Sequence, residues 1–183
     1  MVSSEAGALL LMNLIKKLVR LIAGAAVSRA GLTILNLSIA VIITRFLFNL
    51  AQGFLQSGTI EKHVFELFGQ GVAIRLVAVG VLLMDRHEIM VFAGQRKEHD
   101  APDAFTEATR PYGAVYLCFG LIMEVLLEQT RIPLLPSVGG GVGAGIATLT
   151  IFLALVSLLT CLSLLHDVWK TRPTAARRPG PAE

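Results

Sequence analysis

The apolar residues of this chain are gathered into four long blocks rather than spread through it in short alternating runs. The blocks cover residues 31–55, 64–84, 112–129 and 143–165. Each is close to the roughly 20 residues with which an α-helix crosses about 30 Å of hydrocarbon. Of the 183 residues, 54% are hydrophobic and only 16% are charged, which is more apolar than an ordinary globular domain. The sequence therefore predicts an all-α, integral membrane four-helix bundle over residues 31–169.

The Lys and Arg residues alternate along the chain in step with these blocks. The segments before, between and after the blocks hold four, one, four, one and four of them. Cytoplasmic segments of membrane proteins carry an excess of Lys and Arg. We therefore predict a multi-pass protein of the bacterial inner (plasma) membrane with both termini cytoplasmic. This topology accounts for the net charge of +3, so the expected partner is the lipid bilayer and not nucleic acid.

The N-terminal segment, residues 1–30, has the pattern of an amphipathic helix over Ala8–Ala26. Its polar residues recur at intervals of three and four and so form one stripe: Asn13, Lys16, Lys17 and Arg20. Leu and Ile fill the other face. A helix of this kind lies along a membrane surface, whereas a spanning helix would have to bury three basic side chains. The tail, residues 170–183, is predicted to be a disordered cytoplasmic segment.

Two arginines stand apart from this alternation because they lie inside the apolar blocks. Arg45 and Arg75 are each near the middle of a span, and the third span carries Glu124 and Glu128 one helical turn apart. The four formal charges sum to zero. Because an isolated charge at the centre of a bilayer is costly, we predict that these side chains meet in a buried cluster within the bundle.

Further polar residues accompany this predicted cluster. Asn49 and Gln52 continue the face of Arg45 along the first span, and Tyr116 lies in the same row as Glu124 in the third. Three interpretations of these residues are open. The cluster fixes the arrangement of the helices, or it moves a proton or ion or holds an anionic group. A third possibility is that the long side chains reach back to the membrane interface.

Weaker polar groups occur at the cytoplasmic ends of the second and fourth spans. His87 and His166 are candidates for a metal or haem site there, but their spacing matches no metal motif. We therefore predict no cofactor and no catalytic residue. In the long loop between the second and third spans, Asp103 is expected near the start of a short helix before Pro111.

The size and topology of the chain resemble a family of small bacterial four-span proteins, the phosphate-starvation-inducible E family. The likeness covers about 31–169 and includes a basic linker between spans two and three. It also includes a third span with an aromatic start and a central charge, YGAVYLCFGLIMEVLLEQ. That family is expected to have a basic residue where this chain has Glu124. Its biochemistry is undefined, so the resemblance implies an inner-membrane protein without implying an activity.

Three classes of function fit these features. The first is a non-enzymatic membrane protein that acts by association, as a homo-oligomer or as an accessory subunit of a membrane complex. Small residues such as Gly141 and Gly145 favour close helix packing. The second is a small channel or transporter that uses the charged cluster as its path. The third is a membrane enzyme or cofactor carrier. We expect the first class.

Overall fold

The computed structural model describes residues 2–57, 62–131 and 141–170, with side chains for residues 11–56, 65–129 and 145–170. All regular structure in this part of the chain is helical. The helices are α1 (Val2–Val27), α2 (Arg29–Ser57), α3 (Lys62–Met84), α4 (Arg86–Phe92), α5 (Ala104–Arg131) and α6 (Gly141–Lys170). Four of them, α2, α3, α5 and α6, are long and apolar enough to cross a membrane. This confirms the predicted all-α membrane bundle. Of the predicted tail, only Lys170 lies within the described residues, where it ends α6.

The four long helices form a closed ring in which α2 contacts α3, α3 contacts α5, α5 contacts α6 and α6 contacts α2. Each contributes large apolar side chains to one continuous core, among them Ile43, Leu76, Met123 and Leu153. Between 28% and 39% of each span is buried in the protein. Most of the surface of every span therefore faces outward, where lipid or another protein must cover it.

The closest approach in the ring is between α3 and α5. A Cβ atom added at Gly80 would lie 2.7 Å from the backbone nitrogen of Leu117, and one added at Gly113 would lie 2.8 Å from the carbonyl oxygen of Gly80. Both distances are too short for any side chain. The glycines thus allow the two backbones to touch, as small residues do at helix contacts in membranes.

Two of the differences between the observed helix boundaries and the sequence-based ones have a clear physical reason. The first span begins at Arg29 rather than at residue 31, because the hydroxyl of Ser28 accepts a hydrogen bond of 3.0 Å from the backbone N–H of Gly31 and so caps the helix. Asp103 does precede a helix, but that helix is not short. It runs through Pro111 as part of α5, so the loop segment and the third span are one continuous element.

Helix α1 is joined to the rest of the protein at its C-terminal end. Gly24 and Val27 are buried, whereas residues 11–22 are exposed. The exposed side chains include Leu11, Leu14 and Leu18, which are 62%, 65% and 53% exposed. This long helix therefore extends beyond the core and leaves most of the apolar side chains between residues 11 and 22 uncovered.

Candidate functional site

The two intramembrane arginines lie together on the outside of the ring. Arg45 of α2 and Arg75 of α3 line an open groove of about 590 Å³ between these helices. We call it the arginine groove. Its lining consists of Ile42, Arg45, Asn49, Leu67, Phe68, Gly71 and Arg75. Both arginines are exposed, so the groove opens away from the core.

The hydrogen bonds of these two arginines use little of their donor capacity. Nη1 of Arg75 donates to the carbonyl oxygen of Gly71 at 2.7 Å, one turn back along its own helix. Within the described part of the chain, Arg45 has neither a hydrogen bond nor an ion pair. A guanidinium has five N–H donors. Most donors of both groups are therefore left for a ligand, water or another chain.

The two glutamates lie elsewhere on the ring. The side-chain amide of Gln70 on α3 donates to Oε1 of Glu124 on α5 at 3.4 Å. The other carboxylate oxygen of Glu124, Oε2, is buried and has no hydrogen-bond partner among the described residues. Glu128, one turn further along α5, is exposed. The structure thus brings the two arginines together but does not bring them to the glutamates, and the predicted cluster is divided between two faces.

Both faces involve the same turn of α3. The guanidinium of Arg75 donates to the carbonyl oxygen of Gly71, and the carboxylate of Glu124 accepts from the side chain of Gln70, which is the preceding residue of the same helix. Successive residues of a helix differ by about 100° around its axis. The opposite charges are therefore held beside neighbouring residues of α3 but point in different directions.

The residues predicted to support the cluster also separate. Asn49 lines the arginine groove and Gln52 is exposed one turn further on. Tyr116, in contrast, is fully buried in the core, where its hydroxyl donates to Oδ1 of Asn36 at 2.6 Å. The amide of Asn36 in turn donates to the carbonyl oxygen of Cys161 at 2.8 Å. These bonds join α2, α5 and α6 inside the ring.

Asn36 was not among the site residues predicted from the sequence. The signal for it was present, since it is a single amide side chain within a long apolar run of the first span. Such side chains in membrane helices commonly bond to a neighbouring helix. Its partner Tyr116 was recognised only as part of a row, because periodicity shows which residues share a face but not what that face meets.

A third arginine, Arg86, is the best-bonded charge in the described structure. It begins α4 and is only 3% exposed. Its Nε donates to the carbonyl oxygen of Val27 at 2.9 Å, and its Nη1 donates to Oδ1 of Asp103 at 2.8 Å and also to the hydroxyl of Thr106. We call Arg86, Asp103 and Thr106 the arginine knot. It connects the end of α1, the start of α4 and the start of α5.

The ring of Phe105 and the N-terminus of α5 complete the surroundings of this knot. The guanidinium carbons of Arg86 and Arg29 lie 4.7 Å and 4.8 Å from the centre of the Phe105 ring, which is within the range of cation–π attraction. Asp103 accepts a hydrogen bond of 2.8 Å from the backbone N–H of Thr106. The carboxylate therefore caps α5 while it neutralises Arg86.

The pKa values of the knot reflect both its burial and its charges. Desolvation lowers the pKa of Arg86, and the neighbouring Asp103 opposes that change. For Asp103, desolvation acts to raise the pKa, but the hydrogen bonds from Thr106 and the charges of Arg86 and Arg96 outweigh it, so the pKa lies below its ordinary value. The carboxylate is thus held in its ionised form at neutral pH.

The candidate metal ligands do not form a site with other ligands. His87 is half-buried on α4, whereas His166 is exposed on α6 and lies 3.5 Å from Asp167 through its Nδ1. Among the residues that the structure describes, no group of three or more His, Cys, Asp and Glu side chains has the arrangement of a metal site.

Comparisons with models of protein families, with characterised proteins and with solved structures found no match to this chain.

Proposed function

We propose that the protein acts by association in the membrane, as a homo-oligomer. In this oligomer the arginine groove of one copy contacts the acidic face of the next copy, which is the face of α5 that carries Glu124 and Glu128. The observation that carries the proposal is the exposure of Arg45 and Arg75 at mid-span, where no carboxylate of the described residues lines the groove with them. A charge exposed to lipid there costs about 2.5 to 3.5 kcal/mol even on the most lenient scale. Contact with an anionic group of another chain removes that cost.

The composition of the spans supports a second copy of this chain as the occupant. Glu124 and Glu128 balance the two arginines in number, and the carboxylate of Glu124 is held beside the same turn of α3 as the guanidinium of Arg75. Opposite charges of two copies side by side in one membrane are therefore within reach of each other. Because the groove and the acidic face are different surfaces, the contact between copies is head-to-tail. A closed ring of copies pairs every groove with an acidic face.

The outer surface of the bundle is compatible with such packing. A Cβ atom added at Gly145 of α6 would have no neighbour within 4 Å. The small residue that the sequence suggested for close helix packing thus has open space beside it within one copy. The alternation of Lys and Arg supports placing both termini on the cytoplasmic side of a bacterial inner membrane.

The test uses charge reversal in two separately tagged copies reconstituted in lipid nanodiscs. Arg45→Glu alone and Glu128→Arg alone should each abolish self-association, because like charges then meet at the contact. A mixture of the two variants should associate again, since each groove then faces an opposite charge. Arg110→Glu, an exposed reversal on the far end of α5, is the matched control and should associate like the wild type.

Three results would contradict the proposal. The first is a wild-type protein that is a single copy in nanodiscs of low protein density. The second is association that survives the double substitution of Arg45 and Arg75 by Leu. The third is an isolated complex in which a different protein occupies the groove, which would make the chain an accessory subunit instead.

A second candidate function, passage of ions along the same groove, has one observation in its favour. Asn49, Gln52 and Gln56 extend from Arg45 along α2 to the end of the span, and the last two are exposed. An oligomer would enclose this polar stripe. Ion flux into liposomes that is lost in Gln52→Leu, while association is retained, would support this function. Absence of flux in the wild type would reject it.

A further inference from the structure

Helix α4 and the turn that follows it contact one face of α1. The guanidinium carbon of Arg20 lies 5.8 Å from the centre of the Phe92 ring. A Cβ atom added at Gly24 would lie 2.4 Å from the side-chain nitrogen of Gln95. The carbonyl oxygen of Val27 accepts the hydrogen bond from Arg86. The face of α1 that carries Arg20, Gly24 and Val27 is therefore turned towards α4.

This contact face is a continuation of the polar stripe of α1. Asn13, Lys16 and Lys17 precede Arg20 and Gly24 at steps of three and four residues, which keep a side chain on one side of a helix. At about 100° per residue, the opposite side carries only large apolar side chains. They are Leu11, Leu14, Ile15, Leu18 and Ile22, which are 62%, 65%, 49%, 53% and 57% exposed.

The position of α4 relative to the spans shows where this apolar face points. The candidate span in α3 ends at Met84, and α4 begins at Arg86, beyond the end of that span. A helix covered by α4 on its polar side therefore turns its apolar side back towards the bilayer. At the same level, α2 begins at Arg29 and enters its span, so the end of α1 lies at the membrane surface.

We infer that α1 is an anchor in the lipid monolayer on the α4 side of the membrane, clamped from its polar side by α4 and the arginine knot. Its apolar face takes the boundary between acyl chains and headgroups. Lys16 and Lys17 flank that face and attract anionic headgroups, as basic residues of interfacial helices do. No acidic residue occurs between residues 11 and 27 to oppose this attraction.

The clamp makes this anchor different from a helix on a flexible tether. Arg86 holds the carbonyl oxygen of Val27 and the carboxylate of Asp103 together. The cap at Ser28 starts α2 immediately after α1 ends. The rotation of α1 about its axis is thus fixed by the bundle before any lipid binds, and the same face meets the monolayer in every copy.

Single tryptophans in the full-length protein test which face of α1 meets lipid. The chain has one native tryptophan, so Trp169→Phe supplies a silent background. Leu11→Trp and Asn13→Trp are a matched pair at nearly the same position along the helix, one on each face. In bilayers with brominated acyl chains we expect strong quenching at position 11 and weak quenching at 13, with the reverse order for aqueous iodide.

Two outcomes would overturn the anchor. One is equal access of iodide to both positions, which would place α1 in water. The other is protection of both positions from iodide and from the brominated acyl chains alike, which would mean that α1 packs against protein. Neither outcome depends on whether the arginine groove mediates association, because the measurement is made at low protein density.

A second variant tests the clamp. Gly24→Leu forces the side chain of Gln95 away and should loosen α4 from α1 without altering the core of the four long helices. The expected result is a smaller difference in quenching between positions 11 and 13. Gly53→Leu, where an added Cβ meets nothing within 4 Å, should leave the difference unchanged. An unchanged difference in Gly24→Leu would show that α4 does not set the rotation of α1.

Discussion

Arg86 and Arg45 carry the same guanidinium, and the chain surrounds them in opposite ways. Arg86 lies at the end of a span, where one copy of the chain supplies a carbonyl oxygen, a hydroxyl and a carboxylate to it. Arg45 lies within a span, where the described residues supply a groove but no acceptor. A buried charge that is fully paired belongs to the architecture of one copy. A charge without a partner at mid-depth marks where another component is required.

Removal of the paired arginine has the largest expected effect. Arg86→Met leaves the carboxylate of Asp103 with only the more distant Arg96 and the carbonyl oxygen of Val27 without its donor. Breaking a buried ion pair in this way costs about 3 to 5 kcal/mol, measured as the free energy of unfolding in bilayer discs. Arg96→Met is the control. Arg96 lies 3.4 Å from the same carboxylate with 24% of its side chain exposed, and its loss should cost at most about 1 kcal/mol. Equal losses of stability in the two variants would contradict the view that Arg86 is the arginine that holds this site together.

Removal of the unpaired arginines should have an effect of opposite sign. In the unassociated protein, the double substitution of Arg45 and Arg75 by Leu replaces exposed charge with apolar surface. We expect a gain in stability of about 2.5 to 3.5 kcal/mol for each arginine if both face lipid fully. The measurement is the same unfolding assay at low protein density. A loss of stability would show that the two arginines pair within one copy, as the sequence suggested.

Acid sharpens the comparison of Arg86 with Arg45 in the unassociated protein, because among the described residues only Arg86 of these two arginines has a carboxylate beside it. The pKa of Asp103 is lowered in the folded protein, so its contribution to stability is present above the ordinary carboxylate value of about 3.9. It is lost as the pH falls through the lower folded value. We expect a smaller loss than for Arg86→Met, because a protonated Asp103 still accepts hydrogen bonds. Asp103→Asn should flatten this part of the pH profile, and a profile unchanged by that substitution would contradict the assignment.

The smallest effect on stability is expected from the uncharged pair Tyr116 and Asn36, which are hydrogen-bonded to each other within one copy. Tyr116→Phe removes the hydroxyl that donates to Asn36. Hydrogen bonds between membrane helices average about 0.6 kcal/mol, with a maximum near 1.7, and the loss of stability should fall in that range. If the two side chains act only on each other, the double variant Tyr116→Phe/Asn36→Leu should lose little more stability than Tyr116→Phe alone. An additional large loss would show that the bond to the carbonyl oxygen of Cys161 matters more.

The parts of the fold that follow from hydropathy were predictable. An apolar block of about 20 residues has few alternatives to a spanning helix, because unpaired backbone groups are too costly in hydrocarbon. The same physics did not place the start of the helix that forms the third span correctly. Pro111 usually limits a helix, since it removes one backbone donor, yet α5 continues through it from the cap at Asp103.

The side chains that meet across the bundle were much less predictable. The sequence shows roughly how deep a residue lies along its helix, and it placed Arg45 and Arg75 near the middle of their spans. The rotation of each helix about its axis depends on contacts such as that of Gly80 with Gly113. Such contacts join different helices, so they cannot be predicted from the residues of one helix alone. Arg86 and Asp103 are 17 residues apart in the sequence, so no local sequence pattern predicts that they pair. Arg86 was therefore counted only as a charge that orients the protein.

The contact of Gly80 with Gly113 also limits how this protein can change shape. Backbones that touch have no layer of side chains to slide over, so α3 and α5 must move as one rigid unit. Any opening or closing of the bundle then occurs where α2 and α6 meet that unit through larger side chains. The arginine groove lies on one of these two seams, between α2 and α3. A rocking motion of the α2–α6 pair would therefore widen or narrow the groove while the carboxylate of Glu124 stays fixed.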